Sequence, residues 1–352
     1  MGKLSHVQIG GADRWESKSG SQGELFLVSK THRKICIGTI TKDRPVMLQK
    51  LLMSYARLII PEGTQVCFLI AENNHEKTVC SIINDFKARV SPAEVVYTVE
   101  PVLGIASARN HVLNYAVDHG YDLLTFADDD EQVEPQWLME LLKERDHHNL
   151  DIVGAPVRFA PPEGKLSFWQ KIVWQGVDKV NRNAENRSIK KRDEGKAGQL
   201  KLATGSWMGN LDFFRSTGLR FDAALGQAGG EDWQLWAEAK ALGAKTGWTP
   251  HAIAYETVPA SRLKLSYYYR RNRDHARTVH LERMKNQKSG SLWRTFKSVL
   301  SRVYKVLVGS LLLPIYRERG LLTIAANLGS LVGFIDGARG KKSMHYVDID
   351  GY

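Results

Sequence analysis

From residue 34 to residue 127 the chain alternates between two periods, and no other feature limits its folding as strongly. Residues 34–40 (KICIGTI), 66–71 (VCFLIA), 94–100 (EVVYTVE) and 121–127 (YDLLTFA) are short apolar runs of strand character. Between them, residues 45–60, 75–90 and 104–120 carry apolar side chains at helical spacing, with Pro45 in the first turn of one helix and Gly120 closing another. Strand and helix in alternation predict an α/β domain with a mostly parallel sheet. Such sheets bind ligands outside the carboxyl ends of their strands. Thr41 with Arg44, then Glu72, then Asp128-Asp129-Asp130 stand at those ends and are expected to converge on one crevice.

Beyond residue 156 the alternation weakens. Residues 181–199 are polar and of mixed charge and read as a loop, residues 201–214 regain strand character, and a helix is expected just after Gly229-Gly230-Glu231-Asp232. The core domain is expected to end near Pro259. A length of 352 residues suits one large domain with an appendage, or two domains. Residues 1–32 contain no apolar run of the secretory kind and read as a loose extension. The three cysteines lack metal-ligand spacing; Cys36 and Cys67 lie in apolar runs, which suggests buried thiols and a reducing compartment.

Adjacent aspartates repel, so a triplet after an apolar strand asks for a reason. Hard divalent ions prefer oxygen ligands, and Mg²⁺ commonly takes one or two carboxylates and completes its shell with phosphate oxygens and water. The plainer alternative is an acidic turn that caps the helix near Pro135. Glu231 and Asp232 have the same two readings: acids stabilise a helix N-terminus, and a carboxylate pair can serve a general base. Arg109, near a helix start, could meet phosphate or an aspartate through its fork, or lie on the surface. His147-His148 reads as a solvated helix end. Trp169, Trp174 and Trp207 could be sugar platforms or core.

The ordered set of these motifs resembles family-2 glycosyltransferases. Thr41-Lys42-Asp43-Arg44-Pro45 is similar to that family's T-x-N-R-P opening, and Glu72-Asn73-Asn74 lies where an Asp pair is usual. Residues 104–110 (GIASARN), Asp128-Asp129-Asp130, residues 204–210 and Gly229-Gly230-Glu231-Asp232 match its later motifs in order. The likeness spans roughly residues 33–275 and lies nearest to bacterial exopolysaccharide enzymes of the succinoglycan type. It implies a GT-A fold over residues 33–260, a nucleotide-sugar donor such as a UDP-sugar, Mg²⁺ or Mn²⁺, and inversion at the anomeric carbon. It assigns Thr41 and Glu72 to the base and ribose, and Arg44 and Arg109 to the donor site. Asp128 would face the ribose or sugar, on the metal side, and Asp130 would bind the metal. Asp232 would be the base and Glu231 the residue that orients the acceptor. Two positions depart from the pattern: Glu72 replaces Asp, and Glu256 stands where many relatives carry a metal-reaching His.

The net charge of +11 is concentrated: residues 261–320 hold fifteen Lys or Arg and three acids. Within them Trp293, Phe296, Leu300, Val303 and Leu307 form a stripe, with Arg294, Lys297, Arg302 and Lys305 off it. This is the pattern of a basic amphipathic helix at an anionic membrane surface; packing on the chain's own domain is the alternative. Residues 320–335 are uncharged but shorter than the roughly 20 residues a spanning helix needs, and read as a partner helix or shallow hairpin. Residues 261–352 are thus expected to form a basic, membrane-associating helical region. With the resemblance, this implies a lipid-linked or glycan acceptor and a cytoplasmic enzyme on the inner face of the bacterial membrane. A nucleic-acid partner fits less well, because the basic residues share their helix with a continuous apolar stripe. A GT-A scaffold without catalysis is the remaining alternative, against which the intact acids argue.

Overall fold

The computed structural model describes residues 5–9, 12–16, 33–223, 230–285, 291–311, 313 and 317–339. Within the expected loose extension, β1 (Ser5–Ile9) and β2 (Ala12–Glu16) pair antiparallel. The α/β unit follows as β3 (Arg33–Thr41), α1 (Pro45–Tyr55), β4 (Thr64–Glu72), α2 (Cys80–Val90), β5 (Glu94–Val99), α3 (Ile105–Asp118) and β6 (Leu123–Phe126). Next come β7 (Glu131–Val133), α4 (Trp137–His148), β8 (Ile152–Gly154), β9 (Val157–Phe159), α5 (Phe168–Asp193), β10 (Trp207–Asn210) and α6 (Leu211–Thr217). The described chain closes with α7 (Glu231–Ala241), β11 (Thr246–Trp248), β12 (Ala254–Glu256), α8 (Leu265–Lys285), α9 (Ser291–Leu311) and α10 (Arg317–Ala338).

The main sheet has seven strands in the order β11-β8-β10-β6-β3-β4-β5. The strands from β6 to β5 are parallel to one another, and β10 runs antiparallel to both β6 and β8. Side chains alternate across β3: Ile35 and Ile37 pack beneath α1, α2 and α4, and Cys36 packs beneath α3 and α6. Both faces are covered, so the inner strands are apolar almost throughout. The order places β3 and β6 side by side, and the motif-bearing loops after them are therefore neighbours. A small sheet, β7-β12-β9, brings Glu131 opposite Glu256 in register.

Residues 181–193, expected in a loop, continue α5 as helix. That half has few apolar residues and is held by ions: Arg158 bonds Glu185 (2.7 Å), Arg192 bonds Glu144 (3.0 Å) and Arg182 pairs with Asp178 (2.8 Å). Ser167 and Gln170 form a capping box at its start. Of the expected strand at 201–214 only Trp207–Asn210 is strand, and α6 takes over at Leu211. Helix α2 begins at Cys80, later than expected, because Glu72 holds the preceding loop through the backbone N–H and hydroxyl of Thr78.

Leu322 of α10 joins Val173 and Val177 of α5 and Leu263 and Tyr268 in a third core cluster. Helix α10 lies so close to α8 that a Cβ at Gly329 or Gly333 would collide with the backbone at Tyr269 or Arg273. Its segment Gly320–Ala338, 19 residues with mean hydropathy 1.5, is long and apolar enough to cross a membrane, which the uncharged run by itself did not suggest.

Candidate active site

A cavity of about 340 Å³ opens at the carboxyl edge of the parallel strands, lined by Thr41, Arg44, Asn73, Arg109, the aspartate triplet, Glu131, Glu256 and Arg262 among others. Each group arrives from a different element. Thr41 ends β3, and the triplet follows β6. The N-terminus of α3 supplies Arg109, and β12 supplies Glu256. Asn73 fixes the entry to α3: its amide donates to the carbonyls of Glu100 and Val102, and its Oδ1 accepts from Gly104 at 2.8 Å. Gly104 sits at φ 144°, a conformation that suits glycine, so α3 starts with its first turn at the cavity.

Two arginines tie the acids together. Arg44 donates to Asp129 (3.0 Å) and Asp130 (3.2 Å), and the Thr41 hydroxyl donates to the second oxygen of Asp129 (2.8 Å). Arg109 donates to Asp128 (2.8 Å) and to Glu231 at the start of α7 (2.5 Å). Arg109 therefore links the triplet to the acids that follow Gly230. Both arginines are partly or fully buried; burial by itself would lower their pKa, and the paired carboxylates outweigh it and raise it.

The acids still exceed the bases. Burial, and then Asp130, push Asp129 up to about 7 against the pull of Arg44. Glu256 is likewise raised to about 7, by burial and then by Asp130, while Arg271 and Arg262 oppose the rise. Asp130 and Glu131 are raised by burial first and by Asp128 next. Gly205, in the turn before β10, makes room for this crowding, since a Cβ there would collide with the Glu131 carboxylate and approach Asp128. The triplet is also pinned from behind: the Asp130 carbonyl accepts from the Thr257 N–H at 2.7 Å, and the Asp128 N–H donates to Glu131 at 3.1 Å.

The structure thus brings together Thr41, Arg44, Arg109, Asp128, Asp130 and Glu231. Glu72 stands apart from the cavity lining: its carboxylate accepts from Thr78 and from the Tyr97 hydroxyl. Asp232 lies in the first turn of α7, where one oxygen accepts from the Trp233 N–H at 2.6 Å. Gly229 lies outside the described residues. Trp207 is core, Trp174 is partly buried in the third cluster, and Trp169 is exposed. Four residues at the site had no role assigned from the sequence: Glu131 adjoins the triplet, Asn73 and Gly205 lie inside motifs already singled out, and Arg262 entered only as one basic residue among fifteen.

Among the described residues, no three His, Cys, Asp or Glu side chains are arranged to hold a metal ion unaided. The donor set nonetheless fits a hard divalent ion that shares its shell with a ligand. Its groups are carboxylates, and their crowding raises their proton affinity, as a compensating cation would reverse.

Residues 36–212 match the family described as Glycosyl transferase family 2, half of the chain. The chain belongs to glycosyl transferase family 2. A curated relative within reach of this family-2 chain is the succinoglycan biosynthesis protein ExoM of Rhizobium meliloti (strain 1021), 27% identical over 243 residues, which are 67% of this chain and 71% of that protein. Among solved structures, mannosyltransferase PcManGT from Pyrobaculum calidifontis, in complex with GDP-Man and Mn²⁺, matches with a TM-score of 0.57 and 14% identity over 89% of each chain. That likeness shows the fold, a GT-A glycosyltransferase fold with a mostly parallel sheet. S. aureus TarS matches less closely: the TM-score is 0.46, identity is 15%, and the match covers 70% of this chain and 39% of TarS.

Proposed function

We propose that this family-2 glycosyltransferase moves a sugar from a nucleotide-sugar, a UDP-sugar first among candidates, to a hydroxyl of a lipid-linked or glycan acceptor, with inversion. The excess of carboxylates over cations at the sheet edge carries this reading. A nucleoside diphosphate brings further negative charge, so such a site accepts it with a divalent cation. Asp130 and Asp128 would hold Mg²⁺ or Mn²⁺, which when bound neutralises the diphosphate as a Lewis acid.

The chain's own residues do the rest. Thr41 and Arg44 hold Asp129 and Asp130 in place, and Asn73 holds the α3 entry. Arg109 holds Asp128 and Glu231 at fixed separation. Glu231, bound to Arg109, orients the acceptor side. Asp232 takes the proton from the acceptor hydroxyl, whose oxygen bonds to the anomeric carbon as the bond from that carbon to the diphosphate oxygen breaks. Glu72, fully buried beside Tyr97, holds the loop that follows β4 through Thr78 rather than reaching the cavity itself.

Helix α9 supports a membrane-bound acceptor. Phe296, Leu300, Val303, Tyr304, Leu307 and Leu311 lie exposed on one side of it, Leu307 at 64% and Leu311 at 79% of full exposure. Lys297 and Lys305 lie on the same helix. Apolar surface of this kind beside cations suits the interface of an anionic bilayer, at the inner face of a bacterial cytoplasmic membrane. A thermal-shift screen of UDP-, GDP- and dTDP-sugars with Mn²⁺, followed by product analysis with a lipid-linked acceptor, tests the reading. Stabilisation by one donor class and transfer from it are expected. No shift with any donor would overturn it.

A further inference from the structure

Arg44 and Arg109 are the arginines that motif reading sends to the donor, but each is already committed. Arg44 serves Asp129 and Asp130, and Arg109 serves Asp128 and Glu231, all within 2.5–3.2 Å. Arg44 spends Nη1 on both of its carboxylates and Arg109 spends one Nη on each of its own, so the charge of both guanidinium groups is already matched by acids before a phosphate arrives. Among the described residues lining the cavity, the cations without an ion pair are Lys42 and Arg262.

Arg262 is the better placed of the two. It ends the turn Ala260–Arg262, which follows the strand that carries Glu256. The turn is held from outside by the Gln170 amide, which donates to the Ala260 carbonyl at 3.1 Å, and from below by the buried Leu263. The Arg262 guanidinium lies over the Tyr267 ring, 5.9 Å from its centroid. The backbone is anchored, and the head stays in the cavity wall without a salt bridge of its own among the described residues. Its charge acts on Asp130 and Glu256, the carboxylates on the metal side of the cavity. The Lys42 ammonium is a point charge, whereas a guanidinium can bridge two phosphate oxygens.

We propose that Arg262 is the diphosphate-gripping residue of this enzyme. It donates N–H bonds to the diphosphate oxygens in the bound donor. As the bond between the anomeric carbon and the diphosphate breaks, the electron pair passes to the leaving oxygen, and Arg262 bears on the charge that gathers there. The proposal rests on the nucleotide-sugar reading above. It also gives the helical layer beyond residue 260 a part in the donor site, because Arg262 is braced by Tyr267 of α8 and α8 by α10.

The test compares UDP with UMP on the full chain by calorimetry, with EDTA and with Mn²⁺, for the parent, Arg262→Ala and Arg262→Lys. The GDP–GMP and dTDP–dTMP pairs are run beside it. Arg262→Ala should weaken diphosphate binding about 10-fold or more with and without Mn²⁺ and change monophosphate binding by less than about twofold, since one charge-assisted contact is lost. Arg262→Lys should recover part of the loss. Equal weakening of both nucleotides would make Arg262 a structural residue, and parental diphosphate binding in Arg262→Ala would remove it from the site; either overturns the proposal. If the parent binds none of the three diphosphates, the nucleotide-sugar reading falls first and this inference with it.

Discussion

The cavity at the sheet edge and helix α9 both carry charge, but the cavity buries acids in excess of bases, whereas α9 exposes cations beside apolar side chains. The difference separates two kinds of recognition. Buried like charges are costly unless they are neutralised, so a buried excess of acids would suit a specific cation-bearing ligand. Exposed charges are screened and contribute little individually. On α9 they matter as a set, added to an apolar face. One region should therefore respond sharply to single substitutions, and the other gradually and with salt.

The largest effect should come from the residue that joins the two halves of the buried network. Arg109→Ala leaves Glu231 buried and Asp128 without its partner, and should destabilise the chain by about 3 kcal/mol, as loss of one member of a buried ion pair does. Denaturant unfolding measures this; a change within about 0.5 kcal/mol, the range of ordinary surface substitutions, would show that Arg109 holds nothing together. Asp232→Asn keeps size and shape and loses the proton acceptor. Turnover should fall by on the order of 10²-fold or more, with donor affinity unchanged. Near-parental turnover would return Asp232 to the role of a helix cap.

How much of this comparison was legible beforehand depends on the distance between partners. The parallel sheet was readable because both faces of its strands are covered, which leaves an apolar run in the sequence itself. The triplet, Arg44, Arg109 and Glu231 were readable as motifs, but their pairing was not. Arg109 and Glu231 lie 122 residues apart, and only the fold joins them. The second half of α5 was misread for the same reason: it has few apolar residues, and its partners Arg158 and Glu144 lie far back along the chain. Gly205 gives no local signal, since its value comes from the acids packed over it. Arg262 was hidden among basic residues that share its charge but not its position.

On α9 the expected effects are smaller per residue. Leu300→Glu with Leu307→Glu should abolish flotation with anionic vesicles and leave nucleotide binding intact, because both side chains are exposed and neither is in the cavity lining. Removal of Lys297 or Lys305 should cost about 1 kcal/mol each at low salt and less at high salt. Loss of nucleotide binding in the double variant, or flotation equal to the parent's, would dissolve the contrast between the two regions.

The smallest effect is in pH. Asp129 and Glu256 stand at about 7 in the folded chain against ordinary values of 3.8 and 4.5. Between those values the folded chain holds protons that the unfolded chain has released. The contribution of these two groups to the stability of the metal-free protein should therefore be fully present below their ordinary values and be lost as pH rises toward and through 7. Mg²⁺ with nucleotide competes with those protons, so its stabilisation should grow over the same range. Thermal melts at pH 5 and pH 8, with and without Mg²⁺ and UDP, read both slopes; a flat response in both would show that the acids are not coupled to the cavity's charge.

Titration of UDP with and without Mn²⁺ in the parent and in Asp130→Ala tests most directly whether the buried acids hold a divalent cation with a nucleoside diphosphate. Mn²⁺ should tighten UDP binding in the parent and have little effect in the variant, because no neutral side chain replaces a hard anionic ligand. Equal Mn²⁺-dependent affinity in both proteins would contradict the account.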